Sequence, residues 1–278
     1  MSKKHIVVKA TGELEEFDRL KLASSLSRSG ADEQTIENII DEIIPWLKEG
    51  ASTKELYNKA FSLLRKRKTS TAARYSLKKS IMELGPSGYP FEHFIGQLLK
   101  YQGFDVQVGV IVQGQCVNHE VDVVATSGNK QFIVECKFYN TQGKFAGVQV
   151  PLYIKSRVED IIRKRTALPE FKDIDFHGWI VTNTRFTSDA VQFGKCAGLH
   201  LVGWDFPDKY SLRDMIEQNS FFPVTAMTSI EKMYKNILMN KGIVLCRQIR
   251  NNPEVLQEVG IKPMKVRKIM TEVEELCS

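Results

Sequence analysis

The chain has 278 residues, 42% of them apolar and 26% charged, with a formal net charge of +6. That length suits two or three domains, and that mixture an ordinary globular protein rather than a disordered or fibrous one. No apolar run reaches the roughly 18–20 residues of a membrane span, and the opening MSKKHIVVKATGELEEF turns acidic too soon for a secretion signal.

The five cysteines, Cys116, Cys136, Cys196, Cys246 and Cys277, show neither a CxxC pair nor a zinc-like spacing. They read as reduced thiols of a cytoplasmic protein. The basic surplus lies in residues 1–84 and 211–278, led by Arg65-Lys66-Arg67-Lys68, while 85–210 is neutral. Such flanks favour a polyanionic partner, or are simply solvated helix faces.

Residues 5–17 alternate about Thr11-Gly12, which predicts a small hairpin. Asp18 is a plausible cap for a helix that follows, and a second helix is expected over 36–47. Ser52-Thr53-Lys54-Glu55 is a capping-box start for a third, running to about Leu64, with another over 70–84. Gly85-Pro86-Ser87-Gly88-Tyr89-Pro90 is the clearest linker. Beyond it come a helix over 91–101, strands over 104–112, 117–125 and 131–138, and a basic helix over 151–165. A buried strand over 178–182, a helix over 187–197 and a last strand over 200–204 complete the series. Strands interleaved with helices indicate an α/β domain. From Leu212 onward the pattern is helical, with breaks at Gly242, Asn251-Asn252-Pro253 and Gly260.

The stretch EVDVVATSGNKQFIVECKF, Glu120 to Phe138, places charge inside apolar strands. With Gly128-Asn129 as a two-residue turn, Asp122 falls opposite Glu135 and Glu120 opposite Lys137, all four on one face. Phe132, Val134, Cys136 and Phe138 take the other face with Val121 and Val123. Carboxylates directly opposed lie about 5 Å apart at Cβ and repel. A divalent cation relieves that repulsion, since Mg²⁺ prefers carboxylate oxygens, water and substrate phosphate. On spacing alone the alternative stays open that these are solubilising surface pairs.

Asp122 followed by Glu135-Cys136-Lys137 resembles the PD-(D/E)xK nuclease motif, and within that superfamily the Mrr-like restriction endonuclease domain. The likeness extends to Pro90–Leu99 with Gly103-Phe104, to Val181–Thr187 with Ala190, and to Gly198–Trp204. It implies a restriction-endonuclease-like mixed sheet flanked by helices, over residues 88–210. It also implies Mg²⁺- or Mn²⁺-dependent hydrolysis of double-stranded DNA. By the same likeness Asp122 and Glu135 are metal ligands, Lys137 the catalytic lysine, Glu92 a further acid and Gln149 a helix glutamine near the site. Val121 stands where the motif has proline.

Residues 4–84 are similar to the ATP-cone, a mostly helical regulatory module that binds ATP or dATP. The matching residues are Val7–Glu13, Phe17-Asp18, Leu20-Lys21-Leu22, Thr53–Leu56 and Thr71–Leu77. The resemblance implies nucleotide contacts from Val8, Lys9, Glu15, Lys21 and Thr53, with Ala10 where many members have arginine. Residues 211–278 are expected to form a small helical domain. There Val259-Gly260-Ile261, with Lys262, Lys265 and Lys268 beyond it, resembles half of a helix-hairpin-helix, or else belongs to a plain interaction domain. Together these readings describe a nucleotide-regulated DNA endonuclease of restriction or genome defence, working as a dimer or higher oligomer away from membranes. The alternative is a catalytically quiet DNA-binding regulator switched by nucleotide.

Overall fold

The computed structural model describes residues 5–9, 11–141 and 143–278. The amino-terminal hairpin forms as expected: β1 (Ile6–Val8) and β2 (Leu14–Glu16) pair antiparallel, with Gly12 in the turn at a φ of +86°. Glycine suits that left-handed backbone because it has no Cβ to clash. A short β3 (Ala51–Ser52), which has no clear signature in the sequence, joins β1 in parallel. Three helices belong to this unit, α1 (Arg19–Arg28), α2 (Glu33–Ile43) and α3 (Thr53–Arg67). Each is started by a side chain that accepts otherwise free amide protons: Asp18 from Leu20 and Lys21, Asp32 from Thr35, and Ser52 in a reciprocal box with Glu55. Their apolar sides bury Leu26, Ile39, Ile40, Ile43 and Leu64 in a core of their own.

The helix expected over 70–84 breaks at Ser76 into α4 (Thr69–Tyr75) and α5 (Leu77–Met82). The Ser76 hydroxyl donates to the Ala73 carbonyl at 3.1 Å, a local bond that competes with the helical ladder. The break matters for packing. Ala72 belongs to the amino-terminal core, whereas Ala73, Leu77, Ile81 and Leu84 belong to the central one.

That centre is a mixed α/β arrangement. β4 (Asp105–Gln113), β5 (Asn118–Ser127) and β6 (Lys130–Lys137) form an antiparallel meander. After the two-residue β7 (Phe145–Ala146) come α7 (Gln149–Thr166) and β8 (Asp175–Thr182). β9 (Arg185–Phe186), α8 (Ser188–Cys196) and β10 (His200–Val202) follow. β8 and β10 extend the sheet in parallel, giving the order β10-β8-β6-β5-β4, while β7 and β9 pair separately. α6 (Tyr89–Tyr101) buries Phe91, Phe94 and Leu98 on one side of the sheet. α7 and α8 bury Ile154, Val158, Ile161 and Ala190 on the other. α6 sits close because Gly96 faces Val108, where a Cβ would come within 2.6 Å of the valine methyl.

The hairpin turn at Gly128-Asn129 and its register are as read from the sequence, with Ser127 opposite Lys130 and Val123 opposite Val134. One detail differs. Gly109 takes a φ of +63° opposite Asp122, and the strands twist over there. Val123 therefore packs in the α6-side core, while Val121 joins Val124 and Ile133 in the α7-side core instead of sharing Val123's face.

The carboxy-terminal part is helical: α9 (Leu212–Gln218), α10 (Lys232–Asn240), α11 (Cys246–Asn251), α12 (Val255–Glu258) and α13 (Pro263–Cys277). Phe222, Leu238, Ile249 and Leu276 share the core of α6 and α5, so this part is packed onto the sheet rather than tethered. Gly260, at a φ of +88°, makes the turn from α12 to α13. Glu272 on α13 is almost fully buried and accepts from the amides of Thr228 and Ser229 at 2.7 and 2.9 Å, which satisfies its charge.

Candidate active site

β5 and β6 part company just where the charged residues begin. Their ladder ends at Val123–Val134, and β6 continues beside β8 as far as Lys137–Thr182. The Cys136 amide has lost its strand partner on β5 and donates to Asp122 Oδ2 at 2.6 Å. A buried amide left dry costs about 1–3 kcal/mol, so this bond fixes the Asp122 carboxylate at the fork. Glu120 does not stand opposite Lys137 as the turn alone predicts. It pairs with Ile111 on the other neighbour and is exposed.

Glu135 is 6% exposed. Its Oε1 accepts from Lys137 Nζ at 2.5 Å and its Oε2 from Arg157 Nη1 at 2.8 Å. Arg157 also donates to the Glu120 carbonyl and lies 5.5 Å from the ring centroid of Tyr153. Behind this cluster the Thr182 hydroxyl donates to the Lys137 carbonyl at 2.7 Å. The side chain of the fully buried Asn183 brackets Tyr139 through both its amide and its carbonyl, at 2.9 Å each. The end of the β6 strand is thus held from both directions.

The electrostatics follow from burial. Desolvation, with the charge of Glu135 as the next contribution, pushes the Asp122 carboxyl up to about 7. Glu92, on the first turn of α6, is raised mainly by burial and then by Glu120 and Glu135. Burial alone lowers Lys137, but its hydrogen bond and charge pairing with Glu135 outweigh that and raise it. At neutral pH Lys137 is therefore an ammonium.

Among the described residues no three His, Cys, Asp or Glu side chains form a ready-made metal cluster. A hard cation such as Mg²⁺ needs less: one or two carboxylates, with water and substrate phosphate filling the rest. Asp122 and Glu135 meet that requirement. A carboxyl kept protonated towards pH 7 by burial and by the charge of Glu135 is a site that added positive charge would stabilise in its ionised form.

Of the expected residues, Asp122, Glu135, Lys137 and Glu92 come together in one electrostatic cluster. Gln149 is exposed at the first position of α7. Arg157 was seen in the sequence only as part of a basic helix. The available signal was spacing: Gln149, Tyr153 and Arg157 recur every four residues and so share one helix face. His119, just before Glu120 on β5, is bonded to Asp160 at 2.8 Å with 12% of its side chain exposed.

In the amino-terminal unit Lys9 and Lys21 both reach Glu15, Lys9 at 3.4 Å. Glu15, Lys21 and Thr53 line a cavity of about 190 Å³ with Val7, Leu56 and Tyr75. Val8 and Lys9 lie off its wall, and Ala10 falls outside the described residues. Thr53, Tyr57 and Tyr75 also border a second cavity of about 500 Å³ with Lys54, Lys78 and Lys79. Ligand clefts usually measure about 300–1,000 Å³, a size the second reaches. Lys78 links it to the centre. Its Nζ donates to the Asn183 carbonyl at 3.0 Å and lies 4.4 Å from the Trp204 ring centroid, and burial brings it down to about 8.

Comparison with known proteins finds two family matches: a restriction endonuclease family over residues 85–208, and the AF1548-like carboxy-terminal family over 222–277. An uncharacterized protein of Archaeoglobus fulgidus is 32% identical over 187 residues, which is 66% of this chain and 99% of that protein. The crystal structure of a protein of unknown function, AF1548, aligns with a TM-score of 0.56 at 30% identity. It covers 69% of this chain and 98% of that one. The MspJI restriction endonuclease, solved with a 27-mer oligonucleotide, aligns at 12% identity and a TM-score of 0.33 over 72% of this chain and 41% of its own. That likeness is too slight to argue from.

Proposed function

This chain belongs to the AF1548-like family, and from its buried acid pair we propose that it is a Mg²⁺- or Mn²⁺-dependent deoxyribonuclease acting in restriction or genome defence. Its central domain is of the restriction endonuclease type, which supports DNA as the partner. The finer reading is that it hydrolyses phosphodiester bonds of double-stranded DNA as a dimer or higher oligomer, and that ATP or dATP bound by the amino-terminal unit sets its activity. The observation that carries the reading is the Asp122 carboxylate, pinned at the fork of β5 and β6 beside Glu135 and pushed up to about 7 by burial and like charge.

Asp122 and Glu135 would hold the cation, with Glu92 near enough to feel their charge. A Mg²⁺ or Mn²⁺ ion bound there would supply a Lewis acid for the phosphoryl oxygen and would make a neighbouring water easier to deprotonate. The chain's own residues do the rest. Lys137, held as an ammonium against Glu135, neutralises charge that develops on the phosphoryl oxygens. Arg157 holds the Glu135 carboxylate in place from α7.

The test is nicking of a supercoiled plasmid in Mg²⁺ or Mn²⁺ against EDTA, with and without ATP or dATP. Nicking that needs the cation and disappears in Glu135→Ala and Lys137→Ala supports the reading. Nicking that survives either substitution counts heavily against it. One observation favours a second reading: both Glu135 oxygens are already paired with cationic side chains. A catalytically quiet, nucleotide-switched DNA-binding regulator fits that pairing, and tight DNA binding with no hydrolysis under any divalent ion would establish it.

A further inference from the structure

The helices that frame the acid cluster carry aromatic rings with much of their surface open to solvent. Tyr89 and Tyr153 are 49% and 59% exposed. Among the described residues four aromatic side chains are this open, Tyr89, Phe145, Tyr153 and Tyr210. Two of the four, Tyr89 and Tyr153, sit on α6 and α7, the helices that carry Glu92 and Arg157.

Their placement is tied to the acids. Tyr89 lies one helical turn before Glu92 and packs on His93, with ring centroids 4.2 Å apart. These three residues share one face of α6. On the opposite side Tyr153 lies against the guanidinium of Arg157, whose Nη1 is 2.8 Å from Glu135. Each of the two helices thus carries an open ring about one turn from a residue of the acid cluster, with the exposed Leu152 next to Tyr153.

A paired duplex offers such a tyrosine a phosphate for its hydroxyl but no base face for its ring. Its base faces are covered by their neighbours, and its outer surface offers phosphates, sugars and base edges, which charged and polar side chains contact. An exposed tyrosine gains from DNA when a base face is free to stack on it. We propose that the substrate of this site is DNA whose bases are unpaired beside the cleaved phosphate, such as a bubble, a fork or an extruded base within a duplex. Tyr153 and Tyr89 are the stacking residues. The inference rests on the hydrolase reading and narrows its substrate.

The experiment uses the full-length protein and end-labelled oligonucleotides of one sequence in three forms: fully paired, with a central bubble, and single-stranded. Cleavage is followed in Mg²⁺ or Mn²⁺, and binding by fluorescence anisotropy in Ca²⁺. The expected result is bubble cleavage roughly tenfold or more above the paired duplex, the size of one base–aromatic contact. Tyr153→Ala and Tyr89→Ala should bring the bubble down towards the paired rate, and Tyr153→Phe should restore it. Equal cleavage and binding of paired and bubble DNA, unaffected by either alanine, would overturn the inference while leaving the hydrolase standing. No cleavage of any form would instead remove the hydrolase reading. The anisotropy series would then decide the stacking claim alone: a preference for unpaired DNA lost in Tyr153→Ala upholds it, and no preference ends it.

Discussion

Lys9, Glu15 and Lys21 of the amino-terminal unit and Asp122, Glu135 and Lys137 of the central sheet are similar sets of carboxylates and lysines. The first trio stands in water: Lys21 has 68% of its side chain exposed, and the pairing with Glu15 merely raises both lysines and lowers the glutamate. The second is walled by two apolar cores, and there burial holds a carboxyl protonated to about 7. Solvent leaves exposed ion pairs cheap to break, so the first trio can release its lysines to an incoming phosphate. The second trio, with Glu135 buried and Asp122 and Lys137 half-buried, cannot rearrange as freely. It is a fixed field, the kind of arrangement that stabilises charge appearing during a reaction.

The largest expected effect sharpens this contrast. Lys137→Ala should slow cleavage about 10²- to 10³-fold, the usual loss when one preorganised charge partner is removed, with the circular dichroism melt little changed. Lys21→Ala should leave the cleavage rate without nucleotide unaltered. A comparable loss from both substitutions would erase the distinction between the two clusters.

Next comes the pH dependence of the metal-free protein. The folded state keeps a proton on Asp122 up to about 7, whereas the unfolded chain releases it near 3.8. The native state therefore binds more protons across that window, and stability falls as pH rises through it, by about 4 kcal/mol at most. Denaturant melts in EDTA between pH 4 and 8 should show the decline, and Asp122→Asn should flatten it.

A smaller effect tests the joint between the regions. Lys78 sits on the large amino-terminal cavity and bonds the carbonyl of Asn183, whose side chain brackets Tyr139 at the end of β6. Lys78→Met should leave cleavage without nucleotide intact and reduce any effect of ATP or dATP about 5- to 150-fold, the ordinary span of coupling between sites. An undiminished nucleotide response would place the coupling elsewhere. The smallest change is expected from Lys9→Ala. It should weaken nucleotide affinity by about tenfold or less, as for one lost phosphate contact, measurable by calorimetry.

Sequence reached far in some places and stopped in others for physical reasons. The hairpin register followed from Gly128-Asn129 as far as Val123–Val134, because a two-residue turn fixes the pairs nearest it. It did not follow past the fork, where Glu120 pairs with Ile111 instead of Lys137. The twist at Gly109 was not legible, since alternation is blind to a residue that reverses it, and so Val121 was placed on the wrong face. The fork that aims Asp122 at the Cys136 amide depends on β8 pairing with β6 from 45 residues away, which no local pattern encodes. Arg157 was visible as a charge but not as the partner of Glu135, because that contact joins two elements on different sides of a loop. The break at Ser76 was hidden for the opposite reason: helical periodicity runs straight through it, and one hydroxyl decides the matter.

The central claim is that the buried acids form a cation site. Calorimetric titration of the metal-free protein with Mn²⁺ at pH 6.5, in wild type and Asp122→Asn, tests it most directly. The account predicts saturable uptake with proton release in the wild type and its loss in the variant. Identical titrations of the two proteins, or no uptake even with DNA bound, would contradict it.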